Sequence, residues 1–491
     1  MHVSIKRYFV KKPIKAIQKE STAPGLKRTL NAMNLVSLGI GCIIGAGIFV
    51  LTGKAAAAHA GPAIMLSFVL AGFACIFAAF CYAELASVLP VSGSAYTYAY
   101  ATLGELAAWA MGWLLILEYG LSASTVAVGW SGYVVSFLRD FNINIPPEYA
   151  NPLGLLLTNP DGSPMLNAAG EQIKGIFNVP AFIGILGTTW LLIIGVRESA
   201  KVNNIIVIVK LAVIVAFIAI GAFYVDTANW HPFIPPATGK PGEYGFDGVL
   251  KAAGVIFFAY IGFEAVSTAA QEAKNPQKDM AIGILGSLAI CTVLYIAVSA
   301  VLTGIVHYSL LNVPDPMALA VDKIGIRWLS FVIKVGAIMG LSSVMLVLIY
   351  GQTRIFYTIA RDGLLPKFFS TLHPKYHTPY LNTAFIGLIV SLAAGLVPLS
   401  TLGDLVSMGT LFAFAIVCFS VLYLRIKEPK LKRPFKTPMM PLTPVLGILS
   451  CGYLMYGLGW TVFVNLKLYF FAGIALYFLY GQFHSKYRKA S

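Results

Sequence analysis

The chain has 491 residues, 58% of them hydrophobic and 11% charged, with a mean hydropathy of +0.78. A water-soluble domain cannot bury that much apolar surface beneath a polar exterior. The formal charge of +15 would suggest a nucleic-acid partner only if the cations gathered on one face, and instead they punctuate long apolar runs.

Residues 1–30 carry Lys6, Arg7, Lys11, Lys12, Lys15, Lys19, Lys27 and Arg28 but no continuous apolar run. They read as a basic lead-in, able to form a short amphipathic helix on a membrane surface, and not as a cleavable signal peptide. Apolar segments then recur at 33–52, 61–89, 107–138, 179–195, 203–225, 248–272, 280–306, 330–360, 382–397, 402–425, 440–459 and 463–482. About 20 apolar residues fit a hydrocarbon core roughly 30 Å thick. These spans, numbered 1 to 12, predict an all-α polytopic membrane protein.

Between spans 3 and 4, the loop 139–178 contains LLLTNPDGSPML, whose Asn-Pro-Asp-Gly predicts a turn between two short strands. The Pro- and Gly-rich loop 226–247 predicts irregular structure. RIKEPKLKRPFKTPMMP (425–441) is a basic linker that sets the last two spans apart from the first ten. The chain thus divides into a lead-in (1–30), a first five-span half (31–226), a second (248–425), the linker (426–440), two further spans (441–484) and a tail (485–491).

Of the 35 Lys and Arg, 25 fall on the side occupied by residues 1–30 and nine on the other, and Lys210 lies inside span 5. By the positive-inside rule both termini are cytoplasmic, with the spans in a cell membrane. The basic balance encodes topology, not a nucleic-acid site. All six cysteines (Cys42, Cys75, Cys81, Cys291, Cys418 and Cys451) fall within spans, so they predict small core residues and no disulfide framework.

Span 1 holds glycines at 39, 41, 45 and 47 in GIGCIIGAGIF. Close helix packing through Gly41-x-x-x-Gly45 is the bland explanation. A dinucleotide loop is excluded, since no strand precedes the motif. Packing needs only two of the four, and each glycine weakens a helix by about 1 kcal/mol, so the helix is expected to unwind at 44–47. Span 6, five spans later, carries FFAYIGFEA and is expected to break at 258–262. Glycine-broken spans at matching places in two halves point to a central transport site, and five spans per half require the second to be inverted. Unwound backbone survives at membrane depth only beside protein or a wet cavity. Amides opening the second half-helix suit a carboxylate, and carbonyls freed in span 6 suit an ammonium group. Together they describe a receptor for a free amino acid.

The blocks GIGCIIGAGIFVLTG (39–53), GPAIMLSFVLAG (61–72), CYAELASVLPVSGSAYTYAY (81–100) and GWLLILEYGLSAS (112–124) carry a family resemblance. So do FFAYIGFEAVSTAAQEAKNPQKDM (257–280), YGQTRIFYTIARDGLLPKFF (350–369) and MGTLFAF (408–414). From about residue 25 to 485 the sequence resembles the amino acid–polyamine–organocation superfamily and, within it, bacterial members of the cationic amino acid transporter family. The resemblance implies a leucine-transporter type of five-plus-five inverted repeat with two further C-terminal helices. It implies amino-acid transport coupled to a proton, with no other cofactor and no metal. It places the substrate carboxylate at Ile43, Ile44, Gly45, Ala46 and Gly47, and the amine at Phe258, Ala259 and Ile261, with Phe258 as an aromatic gate.

Ionisable groups inside a membrane are costly and mark function. Lys210 lies seven residues into NNIIVIVKLAVIVAF, near 10 Å deep at ~1.5 Å per residue, deeper than snorkelling explains. A lysine this deep can gain and lose a proton at working pH, and the resemblance places it where proton-driven members carry a coupling lysine. Glu264, at the span 6 break, can accept a proton or brace the unwound backbone. Glu118, in LILEYG of span 3, can line the same cavity or neutralise Lys210. Glu84 is expected to anchor a basic loop through Arg361, and Arg354 to fix the end of span 8 to lipid phosphate or a loop.

GWSG (129–132) formally fits the nucleophile turn of an intramembrane serine protease, which needs a histidine base in the membrane. All seven histidines are expected in loops or tails, so an enzyme is excluded. One dipolar site and one titratable lysine favour a carrier over a channel with charge rings; a nutrient sensor and an amino acid exchanger stay open. The resemblance puts Leu348 of SSVMLVLIYG where transporters of large substrates are expected to carry a smaller residue, with Met345 adding bulk. The expected function is proton-coupled uptake of small neutral amino acids such as alanine by alternating access, in a monomer whose partners are its substrate and the bilayer. Transport of arginine or lysine is the runner-up.

Overall fold

A computed structural model describes residues 10–13, 29–90, 94–159, 163–167, 170–195, 200–270, 272–376 and 378–487. The amphipathic helix expected within 1–30 falls largely outside these residues. Among the described residues all twelve expected spans are helical, and eight stretches are long and apolar enough to cross a membrane, with four shorter apolar helices beside them. The chain is a multi-pass membrane protein.

Span 1 begins at Ala32–Ile43, where Asn31 Oδ1 accepts from the Asn34 amide while Asn34 Oδ1 accepts from the Asn31 amide, a reciprocal N-terminal cap. After a break it resumes at Gly47–Leu51 and runs to residue 60, eight residues beyond the expected end. His59, expected in a loop, therefore sits in the last turn, its Nδ1 2.7 Å from Gly242 O. Span 2 is Ile64–Val88, span 3 Glu105–Arg139, span 4 Val179–Ile193 and span 5 Ala200–Gly221. Span 6 is Gly245–Ile256 followed by two tight turns, Phe257–Tyr260 and Glu264–Ala269. Spans 7 to 10 are Pro276–Ile305, Arg327–Arg361, Tyr380–Leu396 and Leu399–Lys427. Span 11 is Leu442–Leu458, and span 12 starts at Trp460–Leu476 and continues to residue 484.

Packing is reciprocal. Span 2 lies along span 7, span 3 along span 8 and span 4 along span 9, each against its counterpart five places on. The crosswise contacts match too: span 1 meets span 7 as span 6 meets span 2, and span 5 meets span 8 as span 10 meets span 3. A two-fold axis in the membrane plane relating spans 1–5 to 6–10 produces this pattern. Span 11 packs on spans 2, 6 and 10, and span 12 on spans 3 and 10. There, Trp109 and Trp113 of span 3 donate their indole N–H groups to Gly473 O and Tyr469 O, each at 2.9 Å.

The loop 139–178 forms antiparallel bridges between Thr158 and Pro164, Leu166 and Gln172, and Leu156 and Lys174; turn residues 160–162 lie outside the described residues, and the extended segments around them are joined by a third. Short helices at Ser94–Thr102 and Pro316–Lys323 were not foreseen. Neither was the partner of Glu84. This buried carboxylate pairs with Arg425 at 2.7 Å and Arg433 at 3.2 Å, whereas Arg361 is exposed. The last turn of span 10 and the linker after it, far away in sequence, lie under span 2 and supply the cations.

Candidate substrate site

Span 1 leaves the helix at Ile44, whose ψ of 98° turns the chain out of the α region, and Ala46 has already returned to it. The break is shorter than expected, two residues at Ile44 and Gly45. It resumes as a wide turn in which the Thr52 amide and hydroxyl both donate to Gly47 O. The amides opening this half-helix have no acceptor within it and face the break with the positive end of the helix dipole.

Span 6 breaks at Ile261 (ψ 133°) and Gly262, whose φ of +121° only glycine adopts readily. The Gly262 amide donates to Glu264 Oε2 at 2.9 Å. The two breaks touch backbone to backbone. A Cβ on Gly262 would sit 2.8 Å from the Cys42 carbonyl carbon, and one on Gly47 would collide with the Ala259 backbone. Gly39 is likewise pressed against Ser287 of span 7. Gly45 differs, since a Cβ there would meet only Val344, at 3.6 Å. Gly39 and Gly47 thus serve close packing, while Gly45 is left with room beside it.

Between the breaks lies a small cavity of about 40 Å³, room for a few water-sized groups. Of the expected substrate residues, Ile43, Gly45, Ala46, Gly47, Phe258, Ile261 and Leu348 line it. Ile44 does not line it and turns its carbonyl to Lys210; Ala259 lies beneath Gly47. Span 8 presents Val344 and Val347 beside Leu348, while Met345, expected to add bulk here, is buried elsewhere. Tyr119, Ser122 and Val126 of span 3 and Ala265 of span 6 complete the wall. The i, i+4 spacing of Glu118, Ser122 and Val126 carried a helical-face signal, but nothing in span 3 alone told which face meets the breaks.

Lys210 is fully buried beneath the cavity. Its Nζ donates to Gly41 O at 2.9 Å and Ile44 O at 3.1 Å. These carbonyls belong to the last turn of the first half-helix, where the dipole is negative and intrahelical donors run out. Gly340 of span 8 makes room for the lysine stem, a Cβ there falling 3.0 Å from Lys210 Cε and Cγ. Glu118, expected to line the cavity or to neutralise Lys210, lies beside Glu264 and Thr410. Both carboxylates line the cavity and are buried, and Glu118 Oε1 has no hydrogen-bond partner among the described residues.

Residues 30–480 match the family model described as amino acid permease. The chain is 47% identical to the branched-chain amino acid permease BcaP of Bacillus subtilis, over 97% of this chain and 98% of that protein. It is 45% identical to the methylthioribose transporter of the same organism, over 98% and 99%. It is 38% identical to the vacuolar cationic amino acid transporter 4 of Arabidopsis thaliana, over 82% of this chain and 64% of that protein.

Proposed function

Since the chain belongs to the amino acid permease family, we propose that it takes up neutral aliphatic amino acids, from alanine to branched ones, together with a proton by alternating access. Both termini would face the cytoplasm, as the distribution of Lys and Arg argues, and one chain would suffice for transport.

The substrate carboxylate is received by the amides at 45–47 and its ammonium by the backbone around 258–261. The side chain points to Val126, Val344, Val347 and Leu348, an aliphatic wall that suits apolar side chains. The observation that carries the proton is the pair of hydrogen bonds from Lys210 to Gly41 and Ile44. Charge-assisted hydrogen bonds are roughly twice as strong as neutral ones. Proton loss from Lys210 therefore loosens span 5 from the edge of the break that the substrate occupies. Substrate and proton each favour one arrangement of spans 1 and 5, and coupling is that shared preference.

A second reading rests on Glu118 and Glu264. Two carboxylates on the cavity wall can serve as counter-charges for arginine or lysine side chains.

The test is uptake of labelled alanine and leucine into liposomes holding the purified protein, with and without an inward proton gradient and with arginine as competitor. Accumulation that needs the gradient, disappears in Lys210→Met and resists arginine supports the proposal. Uptake that ignores the gradient but requires internal amino acid makes the protein an exchanger. Arginine uptake replaces the aliphatic reading with the cationic one.

A further inference from the structure

The linker between spans 10 and 11 is not a slack tether. Glu84 of span 2 accepts from Arg425 Nε at 2.9 Å and Nη2 at 2.7 Å, and from the Thr437 amide at 2.7 Å. Arg433, paired with the same carboxylate, turns its guanidinium onto the carbonyls of Leu424, Glu428 and Leu431 at 3.1, 2.8 and 2.7 Å. Phe435 stacks on Phe80 of span 2 with ring centroids 6.5 Å apart. Two of the six cations between residues 425 and 436 are thereby spent on internal structure.

The other four behave differently. Lys427, Lys430, Lys432 and Lys436 are all exposed, and none makes an ion pair or hydrogen bond among the described residues. On either side of them stand apolar side chains equally open: Ile426, 77% exposed, at the end of span 10, and Met439 and Leu442, 65% and 50% exposed, at the start of span 11. In a membrane protein such residues face lipid, which puts the four lysines at headgroup level on the termini side. Lysines held there by a rigid plate match an anionic surface in charge and in depth.

We propose that residues 427–436 form a docking plate for anionic phospholipid headgroups of the leaflet on the termini side. Topology alone would ask only that these cations stay on that side; it would not ask the chain to fix them in place through a buried carboxylate and two arginines. Loss of two lysines from an anionic surface is therefore expected to weaken binding about thirtyfold, about 2 kcal/mol.

The test uses the delipidated full-length protein in neutral detergent. Native mass spectrometry follows binding of phosphatidylglycerol, with phosphatidylcholine as the neutral lipid and glycerol phosphate as the soluble headgroup. The wild type is expected to prefer phosphatidylglycerol. The variant Lys427→Gln, Lys430→Gln, Lys432→Gln, Lys436→Gln is expected to lose that preference while keeping the wild-type unfolding temperature in the absence of lipid. Should that variant fail to accumulate, Lys432→Gln with Lys436→Gln is expected to bind about thirtyfold more weakly. Unchanged phosphatidylglycerol binding in either variant overturns the proposal, as does equal binding of the two lipids by the wild type. Glycerol phosphate competing as well as the intact lipid would assign the plate to a soluble phosphate and overturn the lipid docking.

Discussion

The breaks in spans 1 and 6 occupy equivalent places in the two halves, yet they are held in opposite ways. Span 1 is held from outside. Lys210 of span 5 takes the carbonyls of Gly41 and Ile44, the Tyr295 hydroxyl of span 7 donates to Ile43 O at 2.9 Å, and the Tyr133 hydroxyl of span 3 donates to Phe49 O at 2.8 Å. Span 6 is held from within, by the positive φ of Gly262 and by Glu264 accepting from the Gly262 amide two residues back. A break fixed by its own sequence stays broken whatever its neighbours do. A break fixed by other helices responds when one of those partners changes charge, so in the coupling proposed above span 1 is the half on which the Lys210 proton would act.

The largest effect should come from the self-built break. In Gly262→Ala the residue keeps a positive φ, costing roughly 1–2 kcal/mol, and drives a methyl into the Cys42 and Ile43 backbone, where overpacking adds about 1–3 kcal/mol. Folded protein, measured by size exclusion and thermal unfolding in detergent, should fall sharply. Wild-type folding and uptake in this variant would break the contrast, because span 6 would then not depend on its own glycine. Next comes Lys210→Met, which keeps the bulk of the side chain and removes the donor. Gradient-driven accumulation should drop at least about tenfold, a barrier change near 1.4 kcal/mol, while the protein still folds. Retained gradient-driven uptake would leave span 1 with no titratable holder.

Within span 1 the glycines sharpen the same contrast. Gly47→Ala meets the Ala259 backbone, where neither break can give way, and should lose folded protein. Gly45→Ala has room beside Val344, so it should fold normally but place its methyl in the cavity and raise KM for alanine severalfold. Equal behaviour of the two variants in thermal unfolding and uptake would mean that the spacing at residue 45 is not reserved for substrate.

The sequence carried the helices because membrane spans are written locally, in runs of apolar residues, and it carried the breaks because glycine density is local as well. Even so, it overstated the span 1 break by two residues, since Ala46 and Gly47 are already helical and Gly47 serves contact with Ala259. Pairings between distant segments were beyond its reach. Glu84 finds Arg425 and Arg433 through a linker that folds back some 340 residues later in the chain, and no periodicity encodes that return. The same holds for span 8: Leu348 was legible as a wall residue, but the choice of Val344 over Met345 depends on a rotation about the helix axis that only packing against spans 1 and 3 sets.

The smallest expected effect concerns the loop between spans 7 and 8, a further outside support of span 1. Its helix Pro316–Lys323 sits on Gly53 of the outer half of span 1 through Pro316, and Asp315 precedes it. Burial pushes the Asp315 carboxyl above its usual range, against the Ser136 hydroxyl, Lys334 and Arg139, which favour the charged form, while Asp322 adds to the upward push. A carboxyl whose folded-state pKa lies above its unfolded value binds its proton more tightly when folded. Its ionisation therefore costs no stability below the unfolded value, and the cost grows as pH rises through the folded one. Asp315→Asn should raise the unfolding temperature at neutral pH by a small amount, and the gain should vanish as pH falls toward about 4, near the ordinary carboxylate range. Thermal unfolding of both proteins between about pH 4 and 7 reads the difference. A variant less stable than wild type at neutral pH would show that Lys334 and Arg139 outweigh burial, and that the support beneath span 1 is an ion-paired clasp holding a charged Asp315.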